Sequence, residues 1–375
     1  MPDRALPRRG RAPRRRARGL HPAAWWVWAL GVATAATRTT NPLVLGLLIA
    51  AVCLVVASRR ADTPWARGFR LYVLLAASIV VLRTGFRIVF AGGGSTVLFA
   101  LPQLRLPGSL GGVSLGGPVS AEALTSGFYG GLQLAAMVVC VGAANALANP
   151  KRLLASMPGA LEELGAVLTV AVSVFPQLAE SVERVNRARA LRGGRSGRWR
   201  VVRQVLMPVL IDALDRSVEL AAAMDSRGYG RRAARTPRRR RATAGVLLTA
   251  VLALSVSAYA LLDTSSSSPW VGGPLLVAGI GLACVGLWLA GRRATSSRYR
   301  PEPWNGWEWA TAVSGIAVGV GAARCAAADP ALMYPAPIPQ AWPAISVAVV
   351  VVGIVASLPG IVTPPTPLST PGGTP

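Results

Sequence analysis

Arginine carries nearly all the chemistry this chain has to offer. Of its 40 basic residues, 39 are Arg; the one Lys is Lys151 and the one His is His21. A P-loop needs G-x-x-x-x-G-K-[ST], because its Lys must reach the phosphates. Lys151 follows Ala148-Asn149-Pro150, so the chain contains no P-loop. One His excludes an H-E-x-x-H protease and a multi-histidine metal site. The cysteines (Cys53, Cys140, Cys284 and Cys325) are far apart and form no C-x-x-C, so no zinc knuckle or disulfide framework is expected. Neither a catalytic residue nor a bound cofactor or metal is expected. Two arginines are distinguished by what surrounds them. Arg192 precedes Gly193 and Arg227 precedes Gly228, each at the end of an amphipathic stretch. Arg suits a helix C-terminus and Gly suits the residue that closes it, so one such pair is unremarkable. Two in succession are far more specific.

The elements that position them follow from periodicity. Residues 162–175 are apolar after Glu162 and Glu163, and Pro176 then breaks or kinks the helix. Beyond it Leu178, Val182, Val185 and Ala188 share one face, while Glu180–Arg184 and Glu183–Arg187 are i, i+4 pairs on another. This helix runs into Arg189-Ala190-Leu191-Arg192-Gly193-Gly194. A second helix starts near Trp199, with a stripe of Val202, Leu206, Val209 and Ala213. An adjacent stripe of Val218, Ala221 and Met224 follows Pro208, and Asp212–Arg216 is a further i, i+4 pair. The stretch ends at Ala223-Met224-Asp225-Ser226-Arg227-Gly228-Tyr229-Gly230.

Composition places this block in a membrane protein. Across 375 residues, 52% are apolar and 15% charged, yet the formal net charge is +25. An ordinary soluble domain is about one quarter charged, so a water-soluble enzyme does not fit. Apolar runs near 23–37, 42–57, 69–90, 124–148, 243–262, 271–290, 307–326 and 343–362 predict an all-α polytopic membrane protein of about eight spans, the first two a short hairpin. Basic residues orient them. Residues 58–70 hold Arg59, Arg60, Arg67 and Arg70; residues 150–241 hold 19 basic residues; residues 291–300 hold four. The alternate loops hold far fewer, which puts the N-terminus, the 150–241 block and the Pro-rich tail 363–375 in the cytoplasm. The Arg-rich segment 1–18 is expected to be disordered, either attracted to anionic lipid or simply solvated. Loop 91–120, rich in Gly and holding Pro102, Pro107 and Pro118, reads as an extracytoplasmic loop rather than a domain. Arg83 and Arg87 share one face near the outer end of the third span; they either snorkel or pack, or they mark a functional site.

At this point the chain resembles the transmembrane T component of energy-coupling factor (ECF) transporters, the EcfT/CbiQ-like family that includes the Q component of cobalt importers. The resemblance covers residues 19–262. It rests on Leu20-His21-Pro22, Thr40-Asn41-Pro42, Ala121-Glu122-Ala123-Leu124, Ala148-Asn149-Pro150-Lys151-Arg152-Leu153-Leu154, Phe175-Pro176-Gln177-Leu178 and the two Arg-Gly segments, in the family's order. It implies that the two amphipathic helices are cytoplasmic coupling helices, each ending in Ala-Arg-Gly and seated in a groove of an ABC-type ATPase. The matching residues are Leu191-Arg192-Gly193 and Ser226-Arg227-Gly228. The Ala position is Leu in one and Ser in the other; Ala190 takes the small-residue role if the register shifts by one.

The implied protein is a non-catalytic scaffold in the cell membrane. It would work with two ABC-type ATPases and a separate substrate-binding membrane subunit to import a vitamin or a transition-metal ion. The chain divides into the tail 1–18, spans 19–148, the coupling block 150–241, a span at 243–262 closing the family-like core, additional spans over 270–362, and the tail 363–375. A stand-alone secondary transporter is the first alternative, but intramembrane acids are nearly absent. A polybasic membrane-anchored protein is the second; as a nucleic-acid binder it would rely on Arg238–Arg241, with no binding module around them, so no nucleic-acid partner is expected.

Overall fold

The computed structural model describes residues 19–60, 68–90, 94–105, 114–156, 162–191, 198–228, 237–262, 269–291, 304–336 and 343–364. The tails 1–18 and 365–375, with Arg67, Arg192, Gly193 and Arg292–Arg300, lie outside them. The chain forms two units. One comprises residues up to Leu153 together with those from Glu302 onward; the other is Leu154–Pro301.

The first unit begins with two helices whose starts are written in the sequence. α1 (Pro22–Thr37) is capped by His21, whose Nδ1 accepts from the Ala23 amide at 3.2 Å. α2 (Pro42–Arg59) is capped by Asn41, whose Oδ1 accepts from the Leu43 amide at 3.0 Å. In both, proline occupies the first helical position, where its missing N–H costs nothing. α3 (Phe69–Val89) and α4 (Ala121–Leu147) pack closely together, and α4 also packs on α1 and α2. α4 starts at Ser120, whose hydroxyl accepts from the Ala123 amide at 3.2 Å.

Between α3 and α4 the described residues pair as short strands. β1 (Val97–Ala100) pairs antiparallel with β4 (Pro118–Ser120), and β2 (Leu104–Arg105) with β3 (Ser114–Leu115). The ribbon returns through Gly116 and Gly117, whose φ values of 78° and 121° are available to glycine at little cost. Gly116 donates its amide to the Val89 carbonyl at 2.8 Å, tying the ribbon to the end of α3. After α4, the short α5 (Pro150–Ala155) places Arg152, which donates to the Gly19 carbonyl at 3.1 Å.

The C-terminal helices return to this unit. α10 (Gly306–Ala328) crosses α1, and α12 (Val347–Val362) packs between α10 and α2. The α1–α10 crossing depends on glycine: a Cβ on Gly31 would collide with the Gly315 backbone, and one on Gly315 with the Trp28 backbone. Buried polar groups then fasten the helices. Trp28 Nε1 donates to the Ala356 carbonyl at 3.1 Å. Asn41 Nδ2 donates to the Leu332 carbonyl, within the short α11 (Pro330–Met333), at 2.8 Å, and to the Ala344 carbonyl at 2.9 Å. Thr39 Oγ1 donates to the Met333 carbonyl at 2.8 Å. At the opposite end of α2, Arg59 donates to the carbonyls of Gly360 and Ile361, at 3.0 and 3.1 Å. That is a favourable place for a cation, the C-terminus of α12. Two ends of α2 thus meet the two ends of α12, which fixes them as parallel neighbours.

In the second unit α8 (Pro237–Leu262) and α9 (Pro269–Gly291) form an antiparallel pair. Gly279 faces Leu254, Gly286 faces Leu247, and Ser257 donates to the Gly272 carbonyl at 2.8 Å. α6 (Glu162–Leu191) and α7 (Arg198–Ser226) form the other pair.

Seven described helices are long and apolar enough to cross a membrane. The set differs from the eight runs read from the sequence. α1 and α12 have 16 residues each, about 24 Å at 1.5 Å per residue, against a hydrocarbon core of about 30 Å. Gly165–Leu191 joins the set, because the helix continues through Pro176 and its stretch from Gly165 to Val182 carries one charge, Glu180.

Candidate functional site

The two amphipathic stretches fold as an antiparallel hairpin of long helices. α6 has 30 residues and α7 has 29. Pro176 and Pro208 lie inside them, each removing one backbone hydrogen bond without ending its helix. Polar side chains hold the pair together. Gln177 Oε1 accepts from Arg216 Nη1 at 3.3 Å. Ser181 donates its hydroxyl to Asp212 Oδ2 at 2.8 Å. Arg184 Nη2 reaches the same Oδ2 at 3.3 Å, and Arg216 Nε reaches Oδ1 at 3.2 Å. Arg189 Nε donates to Gln204 Oε1 at 3.1 Å. Partners on α7 descend in number as those on α6 ascend, which gives the antiparallel register. Ser181 and Val209 are buried in the seam.

Asp212 is the centre of this arrangement. The hydroxyl of Ser181 and then the guanidiniums of Arg216 and Arg184 hold its carboxyl below the usual carboxylate range. The Asp212–Arg216 pair forms as the spacing indicated. The other two expected pairs do not form among the described residues. Arg184 turns across the seam to Asp212 instead of to Glu180, and Glu183 and Arg187 do not pair. An interhelical carboxylate with three donors offers more than a solvated i, i+4 pair worth a few tenths of a kcal/mol.

The apolar stripes are also assigned differently. Val209 alone among the described side chains of its stripe is buried. Met207, Ile211, Leu214 and Val218, at helical spacing, are all more than half exposed. Such a face requires lipid or a protein partner.

The motifs sit at the ends of this hairpin. Ala190 and Leu191 are exposed at the tip of α6, Leu191 at 90%; Arg192 and Gly193 follow outside the described residues. Ser226 closes α7, its hydroxyl donating to the Ala223 carbonyl at 2.9 Å. Gly228 has φ +77° and donates its amide to the Asp225 carbonyl at 2.9 Å, so it is the left-handed residue that ends the helix. Arg227 is exposed, and among the described residues its side chain has no hydrogen-bond or ion-pair partner. The Arg189–Gln204 contact puts the tip of α6 beside residue 204. From there to Ser226 is roughly 33 Å along α7 at 1.5 Å per residue. Ala190-Leu191 and Ser226-Arg227 are therefore two separate points on the hairpin. Among the described residues no three His, Cys, Asp or Glu side chains come together as metal ligands.

Fold and site together define a polytopic, all-α membrane protein that carries a long polar-seamed helix hairpin. The family model described as CbiQ, cobalt transport protein, matches residues 14–237, more than half of the chain and all of α1 to α7. The chain belongs to that family, and is a membrane component of a transport system. No curated protein matches it. Helices α8 to α12 lie beyond the matched region.

Proposed function

We propose that the chain is the non-catalytic coupling subunit of an ATP-driven, ECF-type importer for a vitamin or a transition-metal ion. It sits in the cell membrane and passes the movement of two ABC-type ATPases to a substrate-binding membrane subunit. The spacing of the two Arg-Gly ends on one hairpin carries this reading. Two motifs roughly 33 Å apart suit a receptor with two equivalent grooves, as a dimer of ATPases has. An unpaired Arg beside a left-handed Gly presents its fork past the helix end, where a groove carboxylate can take it bidentately. The exposed row Met207, Ile211, Leu214 and Val218 supplies apolar area between the two points. The polar seam makes the hairpin a stiff lever, so closure of the ATPases would displace it as a unit and pull on α8, its continuation in the chain.

This reading keeps α6 on the cytoplasmic side although its length and composition would allow a crossing. A single crossing there would place the Arg-rich segments on either side of α6 on opposite faces, against the positive-inside rule. A stand-alone secondary transporter is less well supported. The buried carboxylates of the spans are occupied at helix starts: Glu122 accepts from Ser95 and from the Thr96 amide, and Glu308 from the Asn305 amide.

The test is copurification of ABC ATPases with the tagged chain, alongside transport in cells. Arg192→Ala with Arg227→Ala should abolish transport and weaken ATPase binding, because breaking a partly buried charge pair at an interface costs about 2–5 kcal/mol. Arg→Lys should rescue only in part. Arg238→Ala with Arg239→Ala removes equal charge outside the motifs and should matter far less. Equal losses from both sets would assign the effect to bulk charge and lipid, and would end the coupling reading.

A further inference from the structure

Two arginines of α3 are held in a place that charge alone does not explain. Arg83 and Arg87 lie six and two residues before the end of α3, about 9 and 3 Å from it along the axis. At the C-terminal end of a helix, Cα–Cβ bonds tilt back toward the N-terminus, hence toward the hydrocarbon. Snorkelling outward would require each side chain to double back. Arg83 instead lies flat across α4. A Cβ on Gly130 would stand 3.1 Å from Arg83 Nε, and a Cβ on Gly127 would stand 2.7 Å from Arg87 Cγ. Glycines on α4 thus make room for both arginine stems.

Neither guanidinium has a hydrogen-bond or ion-pair partner among the described residues. Glu122, the carboxylate nearest in sequence on α4, is occupied by Ser95 and Thr96. Directly against Arg83 is a groove of about 290 Å³ lined by Ile79, Leu82, Phe86 and Leu134. α3 is the least covered span of its unit, with Ala76 as its one buried residue.

We propose that Arg83, Arg87 and this groove bind one anionic phospholipid. Its phosphate is held by the two guanidiniums and one acyl chain lies along Ile79, Leu82, Phe86 and Leu134. Unpaired guanidiniums facing lipid within about 9 Å of a span's end lie close enough for a headgroup phosphate to be drawn down to them, and Arg binds phosphate through two parallel N–H donors. The apolar groove running from the guanidinium matches an acyl chain better than a polar ligand. This site involves α3 and α4 alone and does not depend on the coupling reading.

The experiment uses the full chain in phosphatidylcholine, with and without added phosphatidylglycerol, and counts bound lipid by native mass spectrometry. The wild type should retain phosphatidylglycerol in preference to phosphatidylcholine. Arg83→Gln with Arg87→Gln should weaken that retention roughly tenfold or more, as loss of charge-assisted pairs implies. Arg→Lys at both positions should give an intermediate value. Gly130→Leu should also weaken retention, by displacing the Arg83 guanidinium while leaving its charge. Unchanged helical content and melting in phosphatidylcholine confirms that each variant is folded. Arg38→Gln with Arg324→Gln removes the same charge from elsewhere on that end of the unit and should leave retention unchanged. Three results would overturn the proposal: no preference for phosphatidylglycerol in the wild type, retention within twofold in the Arg83/Arg87 variant, or equal loss in the Arg38/Arg324 variant. The first would leave a carboxylate of a partner protein as the better ligand for these arginines.

Discussion

Asn41 should be among the most sensitive positions outside the hairpin. Its side chain is fully buried and makes three hydrogen bonds: it caps α2 through Leu43, and it donates to the carbonyls of Leu332 and Ala344. Asn41→Ala removes the cap, worth about 0.5–2 kcal/mol. It also leaves two part-buried carbonyls without their donor, each costing about 1 kcal/mol, the low end of the range for an unmade hydrogen bond. The expected loss is about 2.5–4 kcal/mol, a large share of the 5–15 kcal/mol typical of a folded domain. Asn41→Ser restores a capping oxygen but cannot span both carbonyls, so it should recover only about 1 kcal/mol. Asn41→Asp keeps the cap acceptor and sets a carboxylate against two carbonyl oxygens, so it should do no better than Ala. Thermal labelling of the buried Cys140 thiol by a fluorogenic maleimide in detergent reads the transition. A fall of roughly 10 °C is expected for Ala. A fall of less than about 2 °C would mean that Asn41 does not hold the C-terminal segment, and the account of α10 to α12 as part of the first unit would fail with it.

Further outcomes follow from the same packing. Gly315→Ala should force α1 and α10 apart, since its methyl meets the Trp28 backbone, and should cost more than 2 kcal/mol by the same thiol assay. Gly228→Ala meets no neighbouring atom but must adopt φ +77°, so about 1 kcal/mol of strain should fray the end of α7 in hydrogen exchange. Asp212→Asn should loosen the α6–α7 hairpin, seen as faster amide exchange around Ser181 and Val209. Because the folded carboxyl titrates below its unfolded value, its contribution is fully present above the unfolded pKa of about 4 and is lost as pH falls through the lower folded one. Between pH 6 and 8 hairpin exchange, corrected for intrinsic rate, should therefore stay constant in the wild type, while acid should bring it toward Asp212→Asn.

Much of the molecule was legible in one dimension. Twenty-residue apolar runs can satisfy their backbone only as helices in lipid, so the all-α class followed directly. Helix starts were also readable, because His21-Pro22 and Asn41-Pro42 combine a capping side chain with a residue that needs no N–H. The end of α7 at Arg227-Gly228 was visible for the same local reason: Gly228 closes it by its own φ. What needed the tertiary structure was every choice between partners. Sequence offered Arg184 a Glu four residues away, yet it faces Asp212 on α7, because a carboxylate already held by Ser181 and Arg216 is the stronger acceptor. Sequence marked Asn41 as part of a motif, but the carbonyls it holds lie about 300 positions later. The fate of the C-terminal spans was likewise closed to inspection, since an apolar helix facing lipid and one facing α1 have the same composition. Small residues decide between them only once they meet, as Gly31 and Gly315 do where the α1 and α10 backbones touch.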